Sequence, residues 1–410
     1  MLSSRGNKKA ELMNIPWRCA PPHTYDKEMN PAGLISFGTA EHSPMRSEIA
    51  NRLPNAVASH LNNILKPLSS IDPETVIIAS GVTAIGNMLG LTLAEPSDGI
   101  LVSRPVYGRF ELDYGVEADI QIVYADTDPE EAFTPAVVEK YEVALKRAQK
   151  QGIRIRAMLI VNPHNPVGRC YPTETLKEIL RFCHNRRLHL ISDEVYASCV
   201  FDSGDPKAVP FTSALAISTP GLIDPNLVHL LYGFSKASSL STDPDFASGG
   251  LRLGFLVTAN APLRQACKAI LRLHSPSTAS TTIAATLLED QAFVTQFTRK
   301  SRLSLASTYR IATSTLDQEG INYVKGGNAG FFVYIDLSPY LPEPGRPVQE
   351  REFALAQRFL DAKVFLHPGE EHAREAGWFR LVFAHDEGTL RVGLGRYVLF
   401  YVFQIEIQGS

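Results

Sequence analysis

Residues 228–236 read Val228-His229-Leu230-Leu231-Tyr232-Gly233-Phe234-Ser235-Lys236, an apolar run that ends in small residues and a lysine. Strands that are buried on both faces of a parallel sheet have continuous apolar runs of this kind rather than an alternating pattern. The run therefore predicts a buried strand, and it places the amino group of Lys236 where it can reach the top of a parallel sheet. For a lysine without further motifs around it, a solvated position after the strand is the alternative.

Similar short apolar runs recur from about residue 75 and alternate with amphipathic segments. Between two of them, Leu176, Ile179, Leu180 and Cys183 fall at helical spacing and predict one apolar helix face. Alternating strands and helices imply crossover connections, so we predict an α/β fold with a mostly parallel large-domain sheet flanked by helices. The predicted strands cover residues 75–79, 100–103, 120–124, 157–161, 188–192, 228–232 and 253–257.

The character of the sequence changes near residue 290. A charged helical stretch is followed by Gly330-Phe331-Phe332-Val333-Tyr334-Ile335-Asp336, by a helical pattern at residues 352–360 and by a strand pattern at residues 379–383. This irregular order of strands and helices predicts a smaller α+β domain. We predict an N-terminal arm over residues 1–50, a large domain over residues 51–290 and a small C-terminal domain over residues 291–410.

The bulk composition is that of an ordinary globular protein, with 44% apolar and 20% charged residues among 410. The formal net charge of -3 argues against a polyanion-binding surface, and the absence of a basic run argues against nucleic acid as a partner. Five cysteines at irregular spacing, without a Cys-x-x-Cys pair, favour reduced thiols over disulfides or a metal site. The polar first thirty residues and the short apolar run at residues 397–403 favour a cytoplasmic protein that binds no membrane.

Three further segments lie at the ends or starts of predicted strands: Asn162-Pro163-His164-Asn165-Pro166-Val167-Gly168, Ser192-Asp193-Glu194-Val195-Tyr196 and Gly250-Leu251-Arg252-Leu253-Gly254. A carboxylate that ends an apolar strand, as Asp193 does, is costly to bury unless it has a partner. Helix capping is the common alternative for such an aspartate. Together with Lys236, the order of these segments fits a site for pyridoxal 5′-phosphate (PLP), which needs a lysine, an acid, hydrogen-bond donors and a phosphate cradle.

On these motifs the chain resembles the fold-type I PLP enzymes of the class I and II aminotransferase group, and most of all 1-aminocyclopropane-1-carboxylate (ACC) synthase and its fungal relatives. The resemblance implies that Lys236 forms the Schiff base with PLP and later acts as a general base. It also implies that Asp193 pairs with the pyridine nitrogen, while Asn165 and Tyr196 donate to the O3′ atom of the cofactor. The implied assembly is a homodimer of the fold-type I transferase fold, with sites between the subunits.

The phosphate cradle is partly visible in Ser80-Gly81-Val82-Thr83-Ala84, which follows a predicted strand and opens a helical pattern. The N–H groups and the dipole at a helix start suit an anion, so Val82 and Thr83 are candidate phosphate-binding residues. Such turns are frequent, and this signal is weak when it stands alone. Arg252 matches the phosphate-binding arginine of the family that the chain resembles.

Two further positions complete the predicted cofactor contacts. Tyr107, in Arg104-Pro105-Val106-Tyr107-Gly108, matches the position whose aromatic ring stacks on the cofactor. A tyrosine in a turn without any such role is the alternative. Gly233 stands where many relatives have a phosphate-binding serine, so Ser235 or a backbone donor is the candidate substitute.

Two residues are candidates for binding the substrate. Arg380 lies in the otherwise apolar run at residues 378–383, and a buried arginine demands an anion. The resemblance assigns Arg380 to the substrate α-carboxylate, and an intramolecular salt bridge is the alternative. Glu41 ends the motif at residues 30–41, which is close to the opening of ACC synthases. In that family the matching glutamate helps to place a sulfonium-bearing substrate, and a surface glutamate is the alternative.

The sequence departs from the family in two places that bear on the site. Residues 41–53 are a shortened segment without the tyrosine that, in the family, reaches across the dimer to the neighbouring cofactor phosphate. Lys236 and Arg252 are sixteen positions apart, and removal of residues 237–244 would restore the family spacing. The tail at residues 397–410 matches no family segment that we can assign.

The sequence predicts a PLP-dependent enzyme that acts on a small α-amino acid, but it leaves the type of reaction open. Aminotransferase and ACC synthase-like chemistry are favoured, and a C–S lyase of fungal secondary metabolism that works by β-elimination is the alternative. A catalytically inactive relative that keeps the fold is a second class of function, which the two departures favour.

Overall fold

The computed structural model describes residues 2–11, 28–32, 52–234, 249–369 and 375–396. Within these ranges the chain forms two sheets with helices packed on them. Several residues singled out from the sequence lie outside the described residues. They are Lys236, Ser235, Glu41, residues 41–51 of the shortened segment, residues 237–244 and the tail at residues 397–410.

Among the residues that the structure describes, the larger sheet has seven strands, and its mostly parallel order with helices on both faces confirms the predicted α/β class. The strands are β1 (Val76–Ala79), β2 (Gly99–Arg104), β3 (Gln121–Asp126), β4 (Ile155–Val161), β5 (His189–Asp193), β6 (Val228–Gly233) and β7 (Gly254–Thr258). They lie in the order β1-β7-β6-β5-β4-β2-β3. The pairs among β6, β5, β4, β2 and β3 are parallel, whereas β7 runs antiparallel to both β6 and β1. Each predicted strand occurs within two residues of its expected bounds.

Helices connect the strands and cover the sheets. They are α1 (Ser4–Glu11), α2 (Arg52–Leu65), α3 (Val82–Leu93), α4 (Val137–Lys150), α5 (Thr173–Arg186), α6 (Ala261–Leu271), α7 (Thr278–Glu289), α8 (Gln291–Gln318) and α9 (Val348–Asp361). The apolar face predicted for α5 is confirmed, because Leu176, Ile179, Leu180 and Cys183 are all buried. None of the described helices is both long and apolar enough to cross a lipid bilayer.

Two apolar layers hold the helices to the larger sheet. On one face, Tyr141 of α4 and Ile179 of α5 pack with residues of β4. On the other face, Met88 of α3 and Cys267 of α6 pack with residues of β2 and β5. Because both faces are covered, β5 and β6 are buried along their whole lengths, which explains why most of their residues are apolar. The same packing fixes the start of α3 beside the carboxyl edge of the sheet.

The smaller sheet is antiparallel and contains the elements predicted for the C-terminal part of the chain. Its strands are β8 (Asn322–Tyr323), β9 (Phe332–Asp336), β10 (His367–Pro368) and β11 (Trp378–Val382), in the order β10-β11-β9-β8. α9 packs on it through Leu355 and Phe359. The strand patterns at residues 330–336 and 379–383 and the helical pattern at residues 352–360 all occur here.

α8 joins the two halves of the chain. Its Val294 packs with α2 and α7 beside the larger sheet, whereas its Leu316 lies in the core of the smaller sheet. The helix begins at Gln291, so the boundary predicted near residue 290 falls at its first turn. The predicted limits of the three regions stay predictions, because one continuous helix serves both halves.

The two sheets meet at the segment that follows β5. Tyr196 and Phe201 belong to the apolar core of the smaller sheet, although they lie only a few residues beyond Asp193. Phe201 N donates a hydrogen bond to Asn328 O at 2.8 Å. These contacts hold the carboxyl edge of the larger sheet against the smaller sheet.

Candidate active site

A cavity of about 270 Å³ opens at the carboxyl edge of the larger sheet, where β4, β5 and β6 end and α3 begins. Ligands bind at this edge in open α/β sheets. The walls of the cavity come from segments that are far apart in the sequence. Eight residues predicted from the sequence line it: Val82, Thr83, Tyr107, Asn165, Asp193, Tyr196, Arg252 and Arg380. The structure thus brings together all the predicted site residues that it describes.

Asp193 is the last residue of β5, lines the cavity and is 6% exposed. Its Oδ1 atom accepts a hydrogen bond from Val195 N at 3.2 Å. This is a turn bond and not the helix cap that was the alternative for Asp193, because the next helical turn, Ala197–Cys199, has Tyr196 at its N-cap position. The bond fixes the direction of the carboxylate at the strand end. Asp193 therefore makes a local turn bond and still lines the cavity.

Arg380 and Asn165 are joined by a hydrogen bond from Nη1 of the arginine to Oδ1 of the asparagine, at 3.1 Å. Since the amide oxygen accepts this bond, the NH₂ group of Asn165 is left to act as a donor. The guanidinium carbon of Arg380 lies 5.6 Å from the centre of the Phe332 ring, which is a cation–π distance. One planar guanidinium is thus oriented by an amide and an aromatic ring, and its fork of donors suits a carboxylate.

Two aromatic neighbours fix the ring of Tyr196. Phe331 and Phe332 meet it edge to face, with centroids 5.6 and 5.3 Å away. Burial raises the pKa of the Tyr196 phenol above its ordinary value, and the nearby charge of Arg380 only partly opposes this rise. The phenol therefore stays protonated at physiological pH and can donate a hydrogen bond.

The start of α3 forms an anion-binding corner together with Arg252. Gly81 precedes the helix with a φ of 95°, a conformation that favours glycine, and its position lacks a side-chain cap. A Cβ atom at Gly81 would lie 2.5 Å from Nη2 of Arg252, so the missing side chain lets the guanidinium approach the helix. Helix-start N–H groups, here those of Val82 and Thr83, and a guanidinium are both suited to bind phosphate.

Phe110, Asp113 and Tyr114 also line the cavity, although no sequence motif predicted them. They lie at a helical turn that packs closely on α3, where a Cβ atom at Gly90 would be 2.6 Å from Tyr114 O. Gly86 and Gly90 lie one turn apart on α3. This pair of glycines is the signal that could have indicated the contact, because glycine allows another backbone segment to approach closely.

Asp113 and Tyr114 add a carboxylate and a phenol to the site. Burial raises the pKa of Asp113, and a hydrogen bond with Thr83 and the charges of Arg109 and Arg252 oppose that rise. The Oη atom of Tyr114 is buried and has no hydrogen-bond partner among the described residues. A buried polar group without a partner costs about 1–3 kcal/mol, so Tyr114 is a candidate contact for a ligand.

Glu194, the neighbour of Asp193, is a fully buried carboxyl group. Its Oε1 atom accepts hydrogen bonds from Ser192 Oγ and Ala214 N, both at 2.8 Å, and its Oε2 atom has no partner among the described residues. Burial raises the pKa of Glu194 to about 7, although these hydrogen bonds oppose the rise. A carboxyl group next to the site therefore titrates near neutral pH.

We expect the Glu194→Gln variant to remove a pH dependence of stability. The Glu194 carboxyl titrates near 4.5 in the unfolded chain and near 7 in the fold, so the folded state binds more protons between these pH values. The free energy of unfolding of the native protein should therefore fall as the pH rises through this window, by up to about 3 kcal/mol, and should not recover above it. Glutamine keeps an acceptor for Ser192 and Ala214 but does not titrate.

Urea unfolding at about pH 5 and about pH 8 measures this difference. The Glu139→Gln variant, which changes an exposed glutamate of α4, is the control and should behave like the native protein. An equal pH dependence in the native protein and in Glu194→Gln would contradict the assignment of this titration to Glu194.

Comparison with known sequences identifies relatives of the chain. Residues 34–396 match the family described as aminotransferase class I and II. The 1-aminocyclopropane-1-carboxylate synthase-like protein 1 of Homo sapiens is 31% identical over 405 residues, which cover 91% of this chain and 77% of that protein. The 1-aminocyclopropane-1-carboxylate synthase 6 of Oryza sativa subsp. japonica is 32% identical over 349 residues, which cover 84% of this chain and 61% of that protein. A third relative, from Mus musculus, is named "Probable inactive 1-aminocyclopropane-1-carboxylate synthase-like protein 2". It is 29% identical over 405 residues, which cover 91% of this chain and 67% of that protein.

Solved structures show the same fold. The aspartate aminotransferase of Thermus thermophilus with maleate has a TM-score of 0.69 and 22% sequence identity, covering 97% of this chain and 87% of that chain. The aromatic aminotransferase of Pyrococcus horikoshii OT3 has a TM-score of 0.69 and 21% identity, covering 87% and 86%. The fold-type I architecture expected from the sequence is thereby confirmed.

Proposed function

Because the chain belongs to the PLP-dependent class I and II aminotransferase family, we propose that it is an enzyme that uses PLP and Lys236 to act on an α-amino acid. The observation that carries the proposal is the convergence of Asp193, Asn165, Tyr196 and Arg380 on one cavity beside an anion-binding corner. The ACC synthase-like relatives support aminotransferase or ACC synthase-like chemistry.

The described residues suit the requirements of PLP. Asp193 is an acid, Asn165 and Tyr196 are donors, and the start of α3 with Arg252 suits a phosphate. Tyr114 offers a buried phenol that lacks a hydrogen-bond partner among the described residues. When bound, PLP withdraws electrons from the α-carbon of the substrate, so that a bond to this carbon can be broken.

The side chains that line the cavity would have separate roles in binding the cofactor or the substrate. The Asp193 carboxylate would hold a proton on the ring nitrogen of the cofactor, since an opposite charge nearby favours the protonated form. Tyr196, which burial keeps neutral, and the amide of Asn165 would donate to the O3′ atom. Arg380 would bind the substrate α-carboxylate through two parallel N–H donors. Its bond to Asn165 would couple the position of the substrate to that of the cofactor.

Lys236 is the residue that this function needs most. It follows β6 by three residues, and Gly233 at the end of β6 lines the cavity. Its amino group would hold the cofactor and then move a proton at the substrate α-carbon. A phosphate contact by Ser235 and a substrate contact by Glu41 are proposed in the same way, from the resemblance of their motifs to those of the family.

Two features favour a second candidate function, a catalytically inactive protein that keeps the fold. Residues 41–53 lack the tyrosine of the family, and residues 237–244 lengthen the chain directly after Lys236. One relative also carries the words "probable inactive" in its name. Uptake of PLP and turnover of a substrate separate this candidate from an enzyme.

Absorption spectroscopy tests the cofactor part of the proposal. We expect the purified protein to develop a visible band when equimolar PLP is added, and the band should survive gel filtration. It should also shift when a suitable amino acid is added. A protein that retains no PLP would contradict the proposal and would support the inactive candidate.

Product analysis tests the reaction type. An amino acid with 2-oxoglutarate reports transamination, S-adenosylmethionine reports cyclopropane formation, and a cysteine conjugate reports β-elimination. We expect amino-group transfer or ACC. Release of a thiol would favour the C–S lyase instead, and retention of PLP without any product would favour the inactive protein.

We further propose that the chain works as a homodimer, as the fold-type I architecture implies. Large apolar side chains are exposed in the single chain, among them Leu112 at 61% and Val116 at 70%. Both lie beside Asp113 and Tyr114, which line the cavity. A partner subunit that covers Leu112 and Val116 would therefore lie next to the site.

We expect the double variant Leu112→Asp, Val116→Asp to weaken the dimer at least about a hundredfold, because burying each aliphatic side chain is worth about 1.5–3 kcal/mol. Sedimentation velocity over a range of concentrations measures the dissociation. Val143→Asp, at a position of α4 that is 63% exposed, is the control and should leave the assembly unchanged. A native protein that sediments as a monomer at all concentrations would rule out the dimer.

A further inference from the structure

A second cavity, of about 850 Å³, lies between α2 and the first half of α8. Among the residues that the structure describes, it shares no lining residue with the candidate active site. The segment after β5 contributes Val200, Phe201 and Asp202 to its wall. Four basic side chains line it, and we call the cavity the arginine groove after them: Lys66, Arg299, Arg302 and Arg310.

The charge of the arginine groove is one-sided. Asp202 is the acidic residue among the described lining residues, so one negative charge faces four positive ones. None of the four basic side chains forms an ion pair with a residue that the structure describes. Arg302 instead donates from Nε to Ser198 O at 3.3 Å. His60 also lines the groove, but burial lowers its pKa to about 4, so it is neutral at physiological pH.

The three arginines lie along one side of α8. Arg299, Arg302 and Arg310 are separated by three and then eight residues, and Ala306 lies between them on the same wall of the groove. Arg299 and Arg302 are three residues apart, and one pair of like charges at this spacing destabilises a helix by about 0.2–0.5 kcal/mol. A bound anion would remove this repulsion. Relief of this repulsion favours anion binding in the groove, and it would not contribute on a surface with evenly mixed charges.

The spacing of the arginines indicates the shape of the ligand. Arg299 and Arg310 are eleven residues apart, which is about 16 Å along a helix that rises 1.5 Å per residue. A single phosphate cannot reach both. Between them, Leu303 is 64% exposed, and Ile64 of α2 lines the groove as well. An elongated molecule with several negative charges and an apolar part fits these features.

We propose that the arginine groove binds a small polyanion of the nucleoside polyphosphate type, with its phosphates on the arginines and the face of its aromatic base near Leu303. The volume of about 850 Å³ is in the range of small-molecule sites, about 300–1,000 Å³. Asn63 and Thr295 line the same cavity, where both side chains donate hydrogen bonds to Gln291. The net charge of -3 argued against a polyanion-binding surface. A net charge is a sum over the whole chain, however, and does not report a local cluster of basic residues such as the one that lines this groove.

The arginine groove is connected to the candidate active site on both walls. Ser198, which accepts the bond from Arg302, follows Tyr196 by two residues. On the other wall, His60 Nε2 lies 3.4 Å from Oη of Tyr232, the residue before Gly233 in β6. An anion bound to Arg302 would therefore alter the contacts of Ser198 and Tyr232, which lie beside residues that line the cofactor cavity. Anion binding in the groove would in this way change the affinity of the protein for PLP. This regulatory part rests on the proposed function, whereas binding itself does not.

Isothermal titration with ATP, without metal ions and at about 0.15 M salt, tests the binding. The double variant Arg299→Gln, Arg302→Gln should bind ATP at least about tenfold more weakly than the native protein, because it loses two charge-assisted contacts. A second double variant, Arg299→Gln with Arg310→Gln, leaves the bond to Ser198 intact and should weaken binding to a similar extent. Lys150→Gln with Arg154→Gln removes the same charge from exposed positions elsewhere and should bind normally.

The outcomes separate the arginine groove from the cofactor site. Arg252→Gln should leave ATP binding intact, and loss of binding in that variant would overturn the proposal, because ATP would then occupy the cofactor's phosphate corner. Unchanged affinity in both groove variants would overturn it too. Tighter binding of a hexaglutamate peptide than of ATP would replace the small molecule by an acidic protein partner.

A PLP titration in the presence of saturating ATP tests the regulatory part. The dissociation constant of PLP should change by about fivefold or more in the native protein and stay constant in the groove variants. Bound ATP without any such change would overturn the regulatory part. If the protein takes up no PLP, the proposed function fails, and the ATP titration still decides whether the groove is a binding site.

Discussion

Asp193→Asn is expected to lower kcat/KM by about 10²–10⁴-fold while the protein remains folded. The carboxylate would pair with a protonated ring nitrogen in a cavity where Asp193 is 6% exposed. Removing one partner of a buried ion pair costs about 3–5 kcal/mol, and each 1.36 kcal/mol of barrier is a factor of ten in rate. Asparagine has nearly the same shape and still accepts the hydrogen bond from Val195 N, so the turn after β5 should persist.

Asp224→Asn is the matched control for this variant. Asp224 is exposed, and its Oδ1 atom accepts the same kind of turn bond, from Asn226 N at 2.9 Å. Steady-state kinetics with the substrate identified by product analysis, together with the PLP absorption band, should show a loss for Asp193→Asn and none for Asp224→Asn. Equal kcat/KM in the native protein and in Asp193→Asn would mean that this carboxylate does not act on the cofactor.

The sequence predicts the larger sheet closely for a physical reason. A strand that is covered on both faces must be mostly apolar, and β4, β5 and β6 therefore stand out as largely apolar segments between polar loops. Their buried histidines, His189 and His229, lie within hydrogen-bond distance of each other. The direction of a strand, in contrast, has no comparable effect on the pattern of apolar residues. β7 runs antiparallel to its two neighbours, yet its apolar run resembles those of the parallel strands. A mostly parallel sheet was thus predictable, whereas the orientation of β7 was not.

The candidate site was predictable where its residues end strands. Asn165 follows β4 and Asp193 ends β5, and the carboxyl ends of parallel strands meet at one edge. Arg252 precedes β7, whose start lies at the same edge because β7 runs antiparallel to β6. Asp113 and Tyr114 lie instead on a helical turn between β2 and β3. They reach the cavity only because α3 carries glycines that let this turn approach, which is a packing relation between distant segments.

The arginine groove shows the same limit of sequence reasoning. Its basic residues are Lys66, just after α2, and three residues of α8 more than two hundred positions away. The net charge of the whole chain, -3, does not reveal this local excess of positive charge. Only the packing of α2 beside α8 assembles it.

Lys236→Ala is expected to abolish the visible band that survives gel filtration and to lower turnover by at least about 10⁴-fold. The change removes both the amino group that holds the cofactor and the base that moves the substrate proton, and a general base alone contributes about 10²–10⁴-fold. Arg252 and the start of α3 would still bind the phosphate of PLP, so the variant should take up PLP reversibly rather than lose it altogether.

Reduction with borohydride followed by peptide mass spectrometry separates the possible outcomes for Lys236. In the native protein the cofactor mass should be found on the peptide that contains Lys236, and it should remain there in the control variant Lys268→Ala, which changes an exposed lysine of α6. Attachment to a different lysine would move the catalytic role away from residue 236. Reversible uptake of PLP without attachment in the native protein would mean that residues 237–244 keep Lys236 from the cofactor, and the chain would then be an inactive member of the family that retains the binding site.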